Sequence, residues 1–193
     1  VAGTVAGVNN NGLGISGVAG GTGKGDGCRI MSCQVFSGKS SATTGARAAA
    51  YYYAAKMGAS VLQCSYGQPA GYMTSDNGFE QAYAAEIVAL RYFRDFGNQV
   101  NGSPVNKNII VFASGNDGSS ISGYPAAHRE FISVSAFGPD FLPTNYTNYG
   151  PGVNISAPGG DVAINLTANS DRAMILSTTA KESSNYDTDY GWM

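Results

Sequence analysis

Five consecutive apolar residues, Ile109-Ile110-Val111-Phe112-Ala113, break abruptly into Ser114-Gly115-Asn116-Asp117-Gly118. An apolar run of that length between polar flanks reads as a strand buried on both faces, and such strands belong to parallel sheets covered by helices. Ligands of open parallel sheets bind beyond the carboxyl ends of the strands, which is where Ser114, Gly115 and Asn116 fall. An amide NH2 at such a place can donate to negative charge developing on a carbonyl oxygen. Asn-Asp-Gly is equally an ordinary turn signal. Val111 to Gly118 alone leave both readings open.

The rest of the chain supplies the alternation that a parallel sheet needs. Residues 1–8 are small and apolar, as in a buried helix, and residues 9–27 form a Gly- and Asn-rich loop. Residues 29–36 read as a strand. Thr43 or Thr44 caps a helix whose Ala46, Ala50, Tyr53 and Met57 recur at helical spacing, and Lys56 and Gly58 close it. Residues 60–64 form the next strand, and Asp76 starts a long helix with Phe79, Tyr83, Ile87, Leu90 and Phe93 on one face. Shorter strands are expected near residues 131–137, 153–157 and 174–177. Strand and helix in alternation imply a three-layer α/β/α architecture with a mostly parallel sheet. The chain, residues 1–193, reads as one domain without internal repeat or linker.

Several segments, in order, resemble the catalytic domain of subtilisin-like serine proteases. Val1-Ala2-Gly3-Thr4-Val5-Ala6-Gly7, followed by Asn9-Asn10-Asn11-Gly12, is similar to the stretch just after that family's catalytic His. Val61-Leu62-Gln63-Cys64-Ser65-Tyr66-Gly67 is similar to its substrate-binding strand end. Asn116 falls on its oxyanion-hole Asn. Tyr124-Pro125 and Ser156-Ala157-Pro158-Gly159 match two later landmarks, and the tail from Ile175 to Met193 resembles the approach to the nucleophile motif. The resemblance implies a serine endopeptidase in which Asn116 donates to the oxyanion. Ser65, Tyr66 and Gly67 would pair with an extended peptide or protein substrate, and Ala113, Ser114 and Gly115 would wall the pocket for the residue before the scissile bond.

The same resemblance places the triad Asp and His before Val1 and the nucleophilic Ser beyond Met193. The expectation is therefore a catalytic-domain fragment, incomplete at both ends, inactive by itself and exposing apolar surface where a nucleophile-bearing helix would pack. A catalytically dead binding module of the same fold is the alternative. Chemistry of this kind requires no cofactor. Residues 9–14 resemble the family's calcium loop, in which Asn10 and Asn11 could offer side-chain oxygens to a structural calcium, a hard cation. Export from the cell is implied, and a propeptide or further domains could lie outside the segment.

Composition excludes other classes. With 12% charged residues and a net charge of -2 there is no electrostatic case for nucleic acid or an anionic membrane surface. No apolar stretch approaches the roughly 20 residues of a membrane span. Gly12-Leu13-Gly14-Ile15-Ser16-Gly17 satisfies a dinucleotide fingerprint, and Gly23-Lys24 hints at a phosphate loop. The first follows a helix-like segment and precedes a loop, the reverse of what a nucleotide site needs, and the second lacks its Ser or Thr. Cys28, Cys33 and Cys64 have no zinc-site spacing and read as small core or near-core residues. His128, in a polar Ala-Ala-His-Arg-Glu stretch far from any nucleophile motif, reads as a surface histidine. Asn101, Asn145, Asn154 and Asn165 are acceptor sites only in a glycosylating host.

Overall fold

In the computed structural model, residues 1–37, 40–97, 106–161, 173–179 and 190–192 are described. Asn101, Asn165 and Met193 lie outside them. The elements run α1 (Ala2–Ala6), β1 (Phe36–Ser37), β2 (Ser40–Ser41), α2 (Thr44–Lys56), β3 (Val61–Cys64), α3 (Asp76–Ala82), α4 (Ala84–Phe96), β4 (Ile109–Ala113), β5 (Ile132–Phe137), β6 (Ile155–Pro158), β7 (Leu176–Thr178) and β8 (Tyr190–Trp192). The fold is α/β, built on a mostly parallel sheet of order β3-β4-β5-β6. The chain divides into two compact units. One comprises residues 31–136 and 145–157, the other residues 1–30, 137–144 and 158–193.

The first unit holds the sheet. β3 and β4 are parallel, with Val61 opposite Ile109 and Cys64 opposite Phe112, and β5 runs parallel on the other side of β4. β4 is the most apolar of the three, and Ile110 and Phe112 are buried. Helices α2 and α4 pack on each other, and their buried residues share one core with β3, β4 and Phe131. α2 starts where Thr43 accepts from the Ala46 N–H at 3.2 Å, satisfying one of the free donors of the first turn. Its last turn carries Lys56, and Gly58 follows in the left-handed region. A buried ion pair ties the two helices together. Arg47 Nε lies 2.7 Å from Glu86 Oε1, Glu86 is 2% exposed, and Arg47 Nη1 donates to the Ala42 carbonyl.

The buried face of α2 is not the expected one. Ala48, Tyr51, Ala54 and Ala55 face the core, while Tyr53 and Met57 are more than half exposed. A helix of Ala and Tyr is apolar all round, so spacing does not select a face. The long helix expected from Asp76 occurs as two pieces, since the backbone leaves helical angles at Tyr83. Its apolar face is nevertheless the expected one, with Phe79, Ile87, Leu90 and Phe93 buried.

The strand expected at residues 29–36 is absent. Residues 29–35 are not in a strand: only Phe36–Ser37 pairs, with Ser40–Ser41, extended by the Ala42 N–H donating to the Val35 carbonyl at 2.7 Å. β-propensity without a partner ladder does not make a strand.

In the second unit, α1 packs on β7. An added Cβ at Gly3 would sit 2.3 Å from Thr178 Oγ1, and the hydroxyls of Thr4 and Ser177 are hydrogen-bonded at 2.8 Å. Gly3 is the only buried residue of α1, so the helix is less enclosed than its composition implies. β7 and β8 pair antiparallel.

Candidate functional site

Because β3 and β4 run in parallel register, their carboxyl ends open at the same edge, and the residues that follow them converge. Ser65, Tyr66 and Gly67 leave β3, while Ala113, Ser114, Gly115 and Asn116 end β4 and enter the next loop. All seven line one cleft of about 220 Å³. The Asn116 side chain is exposed and makes no hydrogen bond among the described residues, so its amide faces the cleft edge with donors to spare.

The wall formed by Ser65 to Gly67 is held by close backbone packing. The Gln68 N–H donates to the Tyr124 carbonyl at 2.6 Å, and a Cβ on Gly67 would approach that same oxygen to 2.8 Å. Glycine is therefore required at 67 by space rather than by dihedral angle. Tyr66 is turned inward. Its ring packs edge-on against Phe112 at 6.0 Å and Phe36 at 5.9 Å, and its hydroxyl is hydrogen-bonded to that of Tyr51. Burial pushes the Tyr66 phenol up from its ordinary value and the neighbouring Cys64 thiol up to about 12. Neither group is a nucleophile at neutral pH.

The opposite wall is organised by a residue that the sequence did not single out. Asn148 is fully buried. Its Oδ1 accepts from the N–H groups of Asp117 at 2.9 Å and Ser119 at 3.1 Å, while its Nδ2 donates to the Ser114 carbonyl and to Asp117 Oδ2, both at 3.0 Å. Ser114 Oγ donates back to the Asn148 carbonyl at 3.1 Å. Gly115 has φ +113°, and a Cβ there would sit 2.3 Å from Asn148 Nδ2. Asp117 Oδ2 also accepts from the Ala70 N–H at 3.0 Å, which joins the two walls. Those hydrogen bonds, from Asn148 first, hold the Asp117 carboxyl below its usual value of 3.8. Asn148 lies in Asn145-Tyr-Thr-Asn148-Tyr-Gly150, which reads only as a turn, so no local pattern marks it.

His128 is not a surface residue. It is 1% exposed, with Nε2 3.1 Å from Glu80 Oε1, Nδ1 accepting from the Glu130 N–H, and its ring against Phe131 and Phe79. Glu80 and Glu130 are engaged by Arg91, and Glu130 also by Arg94. Charged neighbours in the sequence here belong to a half-buried ion network, which is why the stretch looked exposed. Glu80, His128 and Glu130 lie close enough to share a metal ion, but two guanidinium groups already occupy the carboxylates.

The three cysteines are free. Cys64 is buried and Cys33 partly so, while Cys28 is exposed, contrary to the core placement expected of it. In the 9–14 loop, Asn11 Oδ1 is used by the Leu13 N–H at 2.9 Å, whereas Asn9 Oδ1 is buried without a partner among the described residues. No described helix is long and apolar enough to cross a membrane.

Residues 1–191 match the subtilase family. The chain is 31% identical over 169 residues to the thermophilic serine proteinase of Bacillus sp. strain AK1, covering 88% of this chain and 35% of that protein. It is 29% identical over 175 residues to an extracellular protease of Xanthomonas campestris, covering 87% of this chain and 26% of that one. A solved protease structure from Pseudoalteromonas arctica superposes with a TM-score of 0.73 at 27% identity, covering all of this chain and 51% of that one. The chain thus spans about a third or less of the length of these two curated relatives.

Proposed function

Because this chain belongs to the subtilase family, a family of serine proteases, we propose that it forms the substrate-binding and oxyanion half of a serine endopeptidase's catalytic domain, residues 1–193 being one part of that domain. The observation that carries the reading is the Asn116 amide at the end of β4, unengaged among the described residues and in the same cleft as Ser65, Tyr66 and Gly67. The nucleophilic Ser, the His that acts as its general base and the Asp that orients the His come from segments flanking residues 1–193. As the Ser attacks the scissile carbonyl, Asn116 donates its side-chain N–H to the developing oxyanion beside a backbone N–H. Such a donor acts in the transition state more than in the ground state.

An extended peptide lies against Ser65-Tyr66-Gly67 as an added strand, since β3 is the edge of the sheet among the described residues. Ala113, Ser114 and Gly115 wall the pocket for the side chain before the scissile bond. Ser114 directs its hydroxyl inward, so this wall is small and accepts a large apolar group. The protein acts outside the cell, a reading supported by its similarity to the extracellular protease of Xanthomonas campestris. A structural calcium on the 9–14 loop fits in part. Asn10 and Asn11 would hold it, and the orphaned Asn9 Oδ1 is a further oxygen donor there. Calcium would contribute to stability and to no step of hydrolysis.

The test compares residues 1–193 with the longest natural polypeptide that carries them, on a chromogenic peptide and with a serine-directed inhibitor. The expected result is inhibitor-sensitive hydrolysis by the longer chain and none by residues 1–193. A longer chain that binds peptide without cleaving it would establish the binding-module alternative instead.

A further inference from the structure

Asn116 has no hydrogen-bonding partner among the described residues, yet an oxyanion donor works only if it is already aimed when charge develops. What fixes its backbone is therefore a question the cleft itself has to answer. The residues on both sides of it are bound to a single side chain. Asn148 accepts from the N–H of Asp117, the next residue, and of Ser119, and it donates to the carbonyl of Ser114, two residues before Asn116. Its own backbone N–H donates to the Gly115 carbonyl at 3.0 Å, and the Gly118 N–H donates to the carbonyl of Tyr146. All four polar valences of the buried Asn148 amide are used, two as acceptor and two as donor. No other residue type of that size offers two acceptor and two donor positions in one plane.

Asp117 extends the arrangement across the cleft. Its Oδ2 accepts both from Asn148 Nδ2 and from the Ala70 N–H. Ala70 closes the segment that begins with Ser65, Tyr66 and Gly67, so the same carboxylate that braces the Asn116 loop also sets its distance from the substrate-binding wall. Gly115 fits this reading, because it leaves room for Asn148 to come this close.

Building on the proposed function, we infer that Asn148 and Asp117 are positioning residues for the reaction: Asn148 holds the backbone on both sides of Asn116 so that its amide meets the oxyanion, and Asp117 ties that loop to the substrate-binding wall through Ala70. Neither touches the reacting atoms. Both act on kcat through Asn116.

The experiment is a double-mutant cycle in the longest natural polypeptide carrying this segment, measuring kcat and KM on a chromogenic peptide for Asn116→Ala, Asn148→Ala and the pair. In a subtilisin, removing an oxyanion donor outright costs about 10²–10³ in kcat. A misaimed donor loses part of that, so Asn148→Ala is expected to lower kcat by roughly 10- to 100-fold with KM changed less than about threefold. The two losses should not multiply, and the pair should fall within about threefold of Asn116→Ala alone.

Asp117→Ala removes an exposed group and leaves no buried cavity, so it serves where Asn148→Ala does not fold. It is expected to lower kcat by about 3- to 10-fold, again without compounding Asn116→Ala. Losses that multiply in the pair, or an effect confined to KM, would overturn the inference while leaving the proposed function standing. An Asn116→Ala variant with undiminished kcat would overturn both.

Discussion

Gly115→Ala and Gly45→Ala are the same chemical change with opposite expected outcomes. At Gly115 the backbone sits at φ +113°, a region that costs an L-residue about 1–3 kcal/mol. The new methyl carbon would lie 2.3 Å from Asn148 Nδ2, which belongs to a fully buried side chain with four hydrogen bonds. Moving Asn148 aside breaks one or two of them, at about 1–3 kcal/mol for each buried group left unsatisfied. The combined cost is therefore about 2–9 kcal/mol. At Gly45, in the first turns of α2, an added Cβ meets nothing within 4 Å and φ is not positive. Alanine there should stabilise by up to about 1 kcal/mol, mostly by restricting the unfolded chain. Urea unfolding followed by circular dichroism reads both. For a chain of this size 1 kcal/mol corresponds to roughly 2–4 °C in Tm, so the two variants should melt well apart. A Gly115→Ala cost below about 1 kcal/mol would refute the claim that Asn148 is held firmly against the loop.

Acid should weaken the fold. Glu130 is held below its ordinary value of 4.5 chiefly by hydrogen bonds from Arg91, and Asp76 below 3.8 by Arg129 and Tyr124 against the opposing effect of burial. Groups with depressed folded values contribute stability above their unfolded values and lose it as pH falls through the folded ones, so unfolding free energy should be flat near neutrality and drop below about pH 4.5. A fold unchanged down to pH 2 would contradict this. Arg47→Met strands the buried Glu86 carboxylate and should cost about 3–5 kcal/mol, whereas Arg47→Met with Glu86→Leu should recover most of it; equal losses in single and double variants would show that the pair carries no charge penalty. Adding calcium to the chelated protein should raise Tm, by an amount equivalent to about 2.7 kcal/mol at a hundred times the dissociation constant. No shift at millimolar calcium would remove the 9–14 loop as a calcium site.

Much of the fold follows from local chemistry visible in the sequence. The apolar run at 109–113 is the central strand because no polar residue interrupts it, and Thr43 and Gly58 bound α2 because capping is decided by adjacent residues. What local chemistry cannot decide went differently. A strand at 29–35 needs a neighbour, and an Ala–Tyr helix needs a neighbour to choose its face. His128 looked exposed because its charged companions are satisfied by Arg91 and Arg94, some 35 residues away in the chain. The cleft residues were legible through family order, since collinear motifs fix the ends of β3 and β4. Asn148 was not, because its partners lie about 30 residues earlier and nothing near it marks the contact.

The central claim is that Asn116 receives the charge developed on the scissile carbonyl. The direct measurement is a crystal structure of the longest natural polypeptide carrying this segment, bound to a peptide aldehyde that mimics the tetrahedral intermediate. The account predicts the hemiacetal oxygen about 2.7–3.1 Å from Asn116 Nδ2, with the peptide paired to Ser65-Tyr66-Gly67. An adduct whose oxygen points away from Asn116, or a peptide bound outside this cleft, would contradict it.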